Sequence, residues 1–139
     1  MILGLGIDLC DIRRIGRVID VFGERFLNRV FTPQERVTAE RRYGQTRINT
    51  YAKRWAAKEA CAKALGTGFS QNVFHSQIGV VNLLTGQPTL LLTNGAKKRL
   101  QLIETQANVL NSVIVLSLTD EYPYAQAQVM IEGYPSSMI

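Results

Sequence analysis

The residues able to do chemistry in this 139-residue chain concentrate in one stretch, Arg54-Trp55-Ala56-Ala57-Lys58-Glu59-Ala60-Cys61-Ala62-Lys63-Ala64-Leu65-Gly66-Thr67-Gly68. Glu59 offers carboxylate oxygens, the ligands that hard divalent cations prefer. Lys63 offers an ammonium that neutralises phosphate oxygens as a point charge. On a helix, residues four apart stand one above the other, so these two share a face. The same spacing also describes a solvent-facing Glu-to-Lys pair contributing about 0.2–0.5 kcal/mol. A second chemical segment is the N-terminus, Met1-Ile2-Leu3-Gly4-Leu5-Gly6-Ile7-Asp8-Leu9. Read as a strand, Leu3, Leu5, Ile7 and Leu9 face one way, and Gly4, Gly6 and Asp8 the other. Glycines inside a strand mark the close approach of a ligand or of another backbone. A tight packing corner closed by a surface aspartate is the alternative. Gly4-x-Gly6 is not a dinucleotide fingerprint, because the third glycine is missing and the pair lies within the strand.

The elements that position these residues follow from periodicity. A helix over about residues 48–65 carries Ala56, Ala60 and Ala64 as a smooth stripe, along which another element can pack closely. Gly66 and Gly68 suit its end. Upstream, the spacing predicts a helix over 11–22, with Ile12, Ile15, Ile19 and Phe22 as its core stripe. Arg13, Arg14 and Arg17 project elsewhere beside Val18 and Val21, with Arg25 just beyond Gly23. Basic residues flanking exposed aliphatics suit an acidic amphipathic partner helix, and a solvated helix face is the plainer reading. Thr32-Pro33-Gln34-Glu35 has an N-cap, a first-position proline and a capping-box glutamate, opening a helix to about Tyr43. Residues 68–77 read as a loop holding the only histidine, His75, an ordinary loop residue on this reading.

The C-terminal half changes rhythm. Strands over 78–84 and 89–93 flank the turn Thr85-Gly86-Gln87-Pro88. A helix over 95–107 follows, with Ala96, Leu100, Ile103 and Ala107 on its core face, then strands over 112–119 and 124–132. The last alternates, with Ala125, Ala127, Val129 and Ile131 on the packed face and Gln126, Gln128, Met130 and Glu132 on the other. Hairpins with segregated helices indicate an α+β fold with an antiparallel sheet. The expected organisation is one domain over 1–139, with about 133–139 as a loose tail.

With 46% hydrophobic and 19% charged residues, the composition is that of a globular chain. No apolar run approaches the roughly 20 residues needed to span a bilayer. The N-terminus lacks the basic start and cleavage region of a signal peptide. Cys10 and Cys61 have no metal-ligand spacing and are expected as buried free thiols. These features fit a cytoplasmic protein. The net charge of +5 invites an anionic partner: nucleic acid, a phosphorylated cofactor or an acidic protein.

Together the two chemical segments resemble the holo-[acyl-carrier-protein] synthase family, the small trimeric 4′-phosphopantetheinyl transferases. The matching pieces are Gly4-Leu5-Gly6-Ile7-Asp8, then Asp11-Ile12-Arg13-Arg14-Ile15, and Arg25-Phe26-Leu27-Asn28-Arg29-Val30-Phe31-Thr32-Pro33-Gln34-Glu35. Trp55 through Gly68, Gly86-Gln87-Pro88, Ser117-Leu118-Thr119 and Ala125-Gln126-Ala127 complete them, in order along residues 1 to about 132. The resemblance implies that family's fold, an antiparallel sheet with a long central helix and further helices packed on one side. It also implies transfer of 4′-phosphopantetheine from coenzyme A to a serine of apo acyl carrier protein, releasing 3′,5′-ADP, in support of fatty-acid biosynthesis. Asp8 and Glu59 would hold a magnesium ion against the pyrophosphate of coenzyme A. Lys63, Gly66, Thr67 and Gly68 would bind the phosphates, the glycines through backbone N–H groups. Lys58, about 100° around the helix from Glu59, is expected to meet another part of the cofactor or solvent. Many relatives carry histidine directly after Ser-x-Thr, where this chain has Asp120. A water at the metal or Glu59 is therefore the expected proton acceptor, with Asp120 orienting that water or binding the cation. Arg14, Arg17, Val18, Val21 and Arg25 would dock the acidic carrier. The family assembles as cyclic homotrimers with sites between subunits. Rival readings are a nucleic-acid-binding module, which lacks a recognition motif and an aromatic stacking run, a non-catalytic carrier binder, and the same chemistry on a specialised carrier.

Overall fold

A computed structural model describes residues 1–135. Strand β1 (Ile2–Asp11) leads into helices α1 (Ile12–Phe22), α2 (Glu24–Val30), α3 (Pro33–Glu40) and the 21-residue α4 (Gly44–Ala64). A loop and a short 3-10 turn, His75–Gln77, precede β2 (Ile78–Asn82) and β3 (Pro88–Leu92). Helix α5 (Asn94–Gln106), β4 (Asn111–Glu121) and β5 (Tyr124–Tyr134) complete the chain. One antiparallel sheet has the order β1-β5-β4, and β2-β3 form a separate hairpin. This is the expected α+β architecture with a long central helix.

Helix α4 is the spine of the core. Ala52, Ala56, Ala60, Cys61 and Ala64 are buried on it, and so are Ala125, Ala127, Val129 and Ile131 on the facing side of β5. In β1, a Cβ on Gly4 would lie 2.1 Å from the carbonyl oxygen of Ala64. One on Gly6 would lie 1.9 Å from that of Ala60. The two glycines therefore admit another backbone, not a ligand, and the alanine stripe is the other half of that contact.

Several boundaries differ from the sequence reading. Helix α4 begins at Gly44, four residues earlier than expected. The short α2 was not anticipated, because its seven residues hold too little periodicity to register. Ile12, Ile15 and Ile19 are buried as expected, but Phe22 is 56% exposed because α1 ends there and Gly23 turns the chain. Of the α5 core face, Ala96 is buried, with Leu100 and Ile103 partly so. Strand β5 continues to Tyr134, where Gly133 exchanges hydrogen bonds with Met1, so the loose tail does not begin at 133. The remainder of that tail, 136–139, lies outside the described residues. Cys10 and Cys61 are buried free thiols, and burial pushes them up to about 11 and about 12.

Candidate active site

The close contact of β1 with α4 brings Asp8 beside the helix. Lys63 Nζ donates to the Ile7 carbonyl at 2.8 Å and to Asp8 Oδ1 at 3.4 Å. Lys63 thus bridges helix to strand and does not form the solvent-facing pair with Glu59. Burial raises the Asp8 carboxyl above its ordinary value against the pull of Lys63, and the Glu59 charge adds to the rise. Two carboxylates near one another with Lys63 as the cation on Asp8 leave net negative charge, which a divalent cation would relieve. Asp8 and Glu59 fit magnesium in kind and number, since that ion takes one or two carboxylates and completes its octahedron with water and substrate phosphate.

Glu59 has an unexpected neighbour. His75 Nε2 lies 3.4 Å from Glu59 Oε1. Its ring stacks on Phe69 at 3.6 Å and on Trp55 at 4.7 Å between centroids. The sequence carried no signal of this, because the two stand sixteen positions apart, across the end of α4 and the loop that follows it.

Lys58 corrects its expectation. It meets neither solvent nor an open site, being wholly buried and paired at 2.7 Å with the equally buried Glu35. Its ammonium also donates to the carbonyls of Ile78 at 2.6 Å and His75 at 3.1 Å. Burial lowers its pKa, and the Glu35 carboxylate pulls it back up. Glu35 closes the anticipated capping box with Thr32 and accepts a further bond from the Val80 amide. The buried side of α4 turns Lys58 inward, a consequence of packing that helical spacing alone cannot assign.

At the C-terminal end of α4, Gly66 and Gly68 take φ of 78° and 57°, the left-handed region. Their N–H groups donate inward, to the carbonyls of Lys63 and Ala62, closing the helix. The glycines therefore supply the turn and its clearance, while their donors are already committed. Thr67 Oγ1 donates to the Gly68 carbonyl. Arg99 from α5 caps the same end through the Leu65 carbonyl at 2.8 Å, a partner the sequence reading did not include.

Asp120 does not join Asp8 and Glu59 within one chain. It pairs with Lys53 at 3.2 Å, and among the described residues no cluster of three or more acidic, cysteine or histidine side chains is grouped for a metal. On α1, Asp11 caps the helix and binds Arg13, whereas Arg14 and Arg17 are exposed without an ion pair among the described residues. Val18, Phe22, Arg25, Phe26 and Arg29 line a groove of about 400 Å³, with Val21 exposed nearby.

Known proteins of similar sequence and fold identify the family. A profile of the 4′-phosphopantetheinyl transferase superfamily matches residues 4–127. Holo-[acyl-carrier-protein] synthase of Granulibacter bethesdensis is 59% identical over 135 residues, covering 97% of this chain and 92% of that protein. The crystal structure of the Neisseria meningitidis holo-[acyl-carrier-protein] synthase superposes with a TM-score of 0.79 at 34% identity, over 95% of this chain and 99% of the other. A Bacillus anthracis holo-(acyl-carrier-protein) synthase in complex with CoA (3′,5′-ADP) gives 0.77 at 31% identity, over 96% and 99%. The α+β fold is thus that of a transferase scaffold. The chain belongs to the 4′-phosphopantetheinyl transferase superfamily and, within it, to the holo-[acyl-carrier-protein] synthases.

Proposed function

We propose that this enzyme transfers the 4′-phosphopantetheine group of coenzyme A to a serine hydroxyl of apo acyl carrier protein, with magnesium, in support of fatty-acid biosynthesis. The observation that carries the reading is the convergence of Asp8, Glu59 and Lys63 where α4 meets β1. Asp8 and Glu59 would hold the magnesium ion, which would offset charge on the pyrophosphate. The serine Oγ forms a bond to the β-phosphorus as the bond from that phosphorus to the bridging oxygen breaks, and 3′,5′-ADP leaves. Lys63, fixed by the Ile7 carbonyl, faces the growing charge on the phosphoryl oxygens. The serine proton passes to Glu59 or to a water that it holds. Lys63 and the Gly66-Thr67-Gly68 turn bind the phosphates, with the glycines giving clearance. Asp120, paired with Lys53, is read as orienting that water and not as the base.

The acidic carrier docks on the face formed by Arg14, Arg17, Val18, Val21 and Arg25, where the groove adds Phe22, Phe26 and Arg29. Charge reversal at Arg14 and Arg17 is expected to raise the KM for carrier about tenfold or more while sparing coenzyme A binding. Unchanged carrier kinetics would remove that surface from the site.

The functional unit is a cyclic homotrimer with sites between subunits. Support comes from β1, whose Leu5, Ile7 and Leu9 are exposed on the sheet face away from α4, beside Val113 and Val115. A site shared between subunits also accounts for Asp120 lying apart from Asp8 and Glu59 in one chain. No helix among the described residues is long and apolar enough to cross a membrane, in keeping with work in the cytoplasm. The test is the intact mass of apo acyl carrier protein after incubation with enzyme, coenzyme A and magnesium. A gain of one phosphopantetheine, lost with chelator, is expected. No gain from folded enzyme that still binds coenzyme A would overturn the choice of carrier.

A further inference from the structure

The Glu59 carboxylate is held on one side only. Its Oε1 faces His75 Nε2, whereas Oε2 takes no hydrogen bond from the described residues. As a cation ligand the Glu59 carboxylate accepts only, so the tautomer of His75 that suits this contact is the one donating from Nε2. The ring is itself fixed. Phe69 and Trp55 stack on it with interplanar angles of 12° and 19°. Its backbone carbonyl accepts from Lys58, the residue next to Glu59, and Lys58 is anchored by buried Glu35. Two adjacent residues of α4 therefore grip one loop residue, Lys58 by its backbone and Glu59 by its ring. The partly buried ring is thus held both by stacking and by the polar contact with Glu59.

From this geometry we infer that His75 is a positioning residue, which fixes the Glu59 carboxylate through Nε2–H···Oε1 and leaves Oε2 free of hydrogen bonds for a cation. The inference rests on the reading of Asp8 and Glu59 as metal ligands. Partners behind a ligand orient it, and their loss weakens metal binding about 10–100-fold.

Trp55 is the chain's only tryptophan, so its emission reports whether a ring still stacks at position 75. His75→Phe keeps a ring and removes the donor, while His75→Gln restores an amide donor without the ring. The measurement is Mn²⁺ binding to the intact enzyme by electron paramagnetic resonance, with Trp55 emission and thermal melting alongside. The expected result for His75→Phe is wild-type melting and emission with Mn²⁺ bound about tenfold more weakly or worse. In His75→Gln, affinity should return to near wild type. Mn²⁺ bound as in wild type by His75→Phe would overturn the inference, as would equal weakening in both variants, which indicates packing alone. If His75→Phe does not fold, His75→Gln decides by retaining or losing wild-type affinity. Asp8→Asn separates the underlying reading: undiminished Mn²⁺ binding there removes the metal assignment itself, and the inference with it.

Discussion

The two faces of β1 are built from alternate residues of one strand and have opposite fates. The inner face, Gly4, Gly6, Asp8 and Cys10, lies against α4, so close that no side chain fits at either glycine. The outer face presents Leu5 at 60% and Leu9 at 65% exposure. Alternation in a strand ordinarily puts the apolar residues inward. Here the inner positions are small because a helix backbone must approach, and the large aliphatics are left outside. The difference teaches that the inner face places Asp8 beside Lys63, while the outer face stays apolar and uncovered within the chain, the face proposed above to meet other copies.

The comparison breaks most severely at Gly6. Gly6→Ala puts a methyl 1.9 Å from a backbone oxygen that cannot move without shifting α4. The expected cost reaches about 3 kcal/mol or more, read as a collapse of the denaturant midpoint. A midpoint near wild type would mean that β1 and α4 are not in the contact described.

Next in size is the buried side of α4. Lys58→Met leaves the Glu35 carboxylate buried without its cation, an expected loss of about 3–5 kcal/mol. Adding Glu35→Gln should recover part of it, and a double-mutant cycle with no coupling would contradict the ion pair.

The outer face is expected to behave in the opposite way. Leu5→Lys with Leu9→Lys removes no buried contact within the chain, so the monomer should keep its helical signal. Light scattering should show loss of the proposed trimer, with transfer falling about a hundredfold or more if the sites are shared between subunits. A variant that stays trimeric would show that this face is not the interface.

The smallest effect sharpens the inner face. Cys10 and Cys61, with thiols raised to about 11 and about 12, remain protonated at pH 8. A thiolate-selective reagent should label neither until denaturant is added, with reactivity rising only as pH approaches those values. Rapid labelling of the native protein would indicate that the α4 contact opens.

How much was legible beforehand can be traced through particular residues. Asp8, Glu59 and Lys63 stood out because their types and spacing are written in the chain, as did the capping box at Thr32 and Glu35. The alternation of β5 was equally plain, since its buried and open sides follow strand period. Phe22 was misplaced because a helical stripe does not announce the Gly23 turn at its end. Lys58 was misjudged because a charged residue reads as solvent-facing until a buried carboxylate is known to await it.

The sequence by itself determined the local elements, the family resemblance and the identities of the groups proposed to hold cation and phosphate. These depend on neighbours a few residues apart, where period, caps and turn glycines act. Tertiary structure alone decided that the paired glycines serve a helix backbone, that Lys58 seeks Glu35 and that Asp120 seeks Lys53. It also brought His75 to Glu59. Each of these joins residues distant along the chain, and only the burial of α4 against β1, β2 and β5 fixes which side chains face one another.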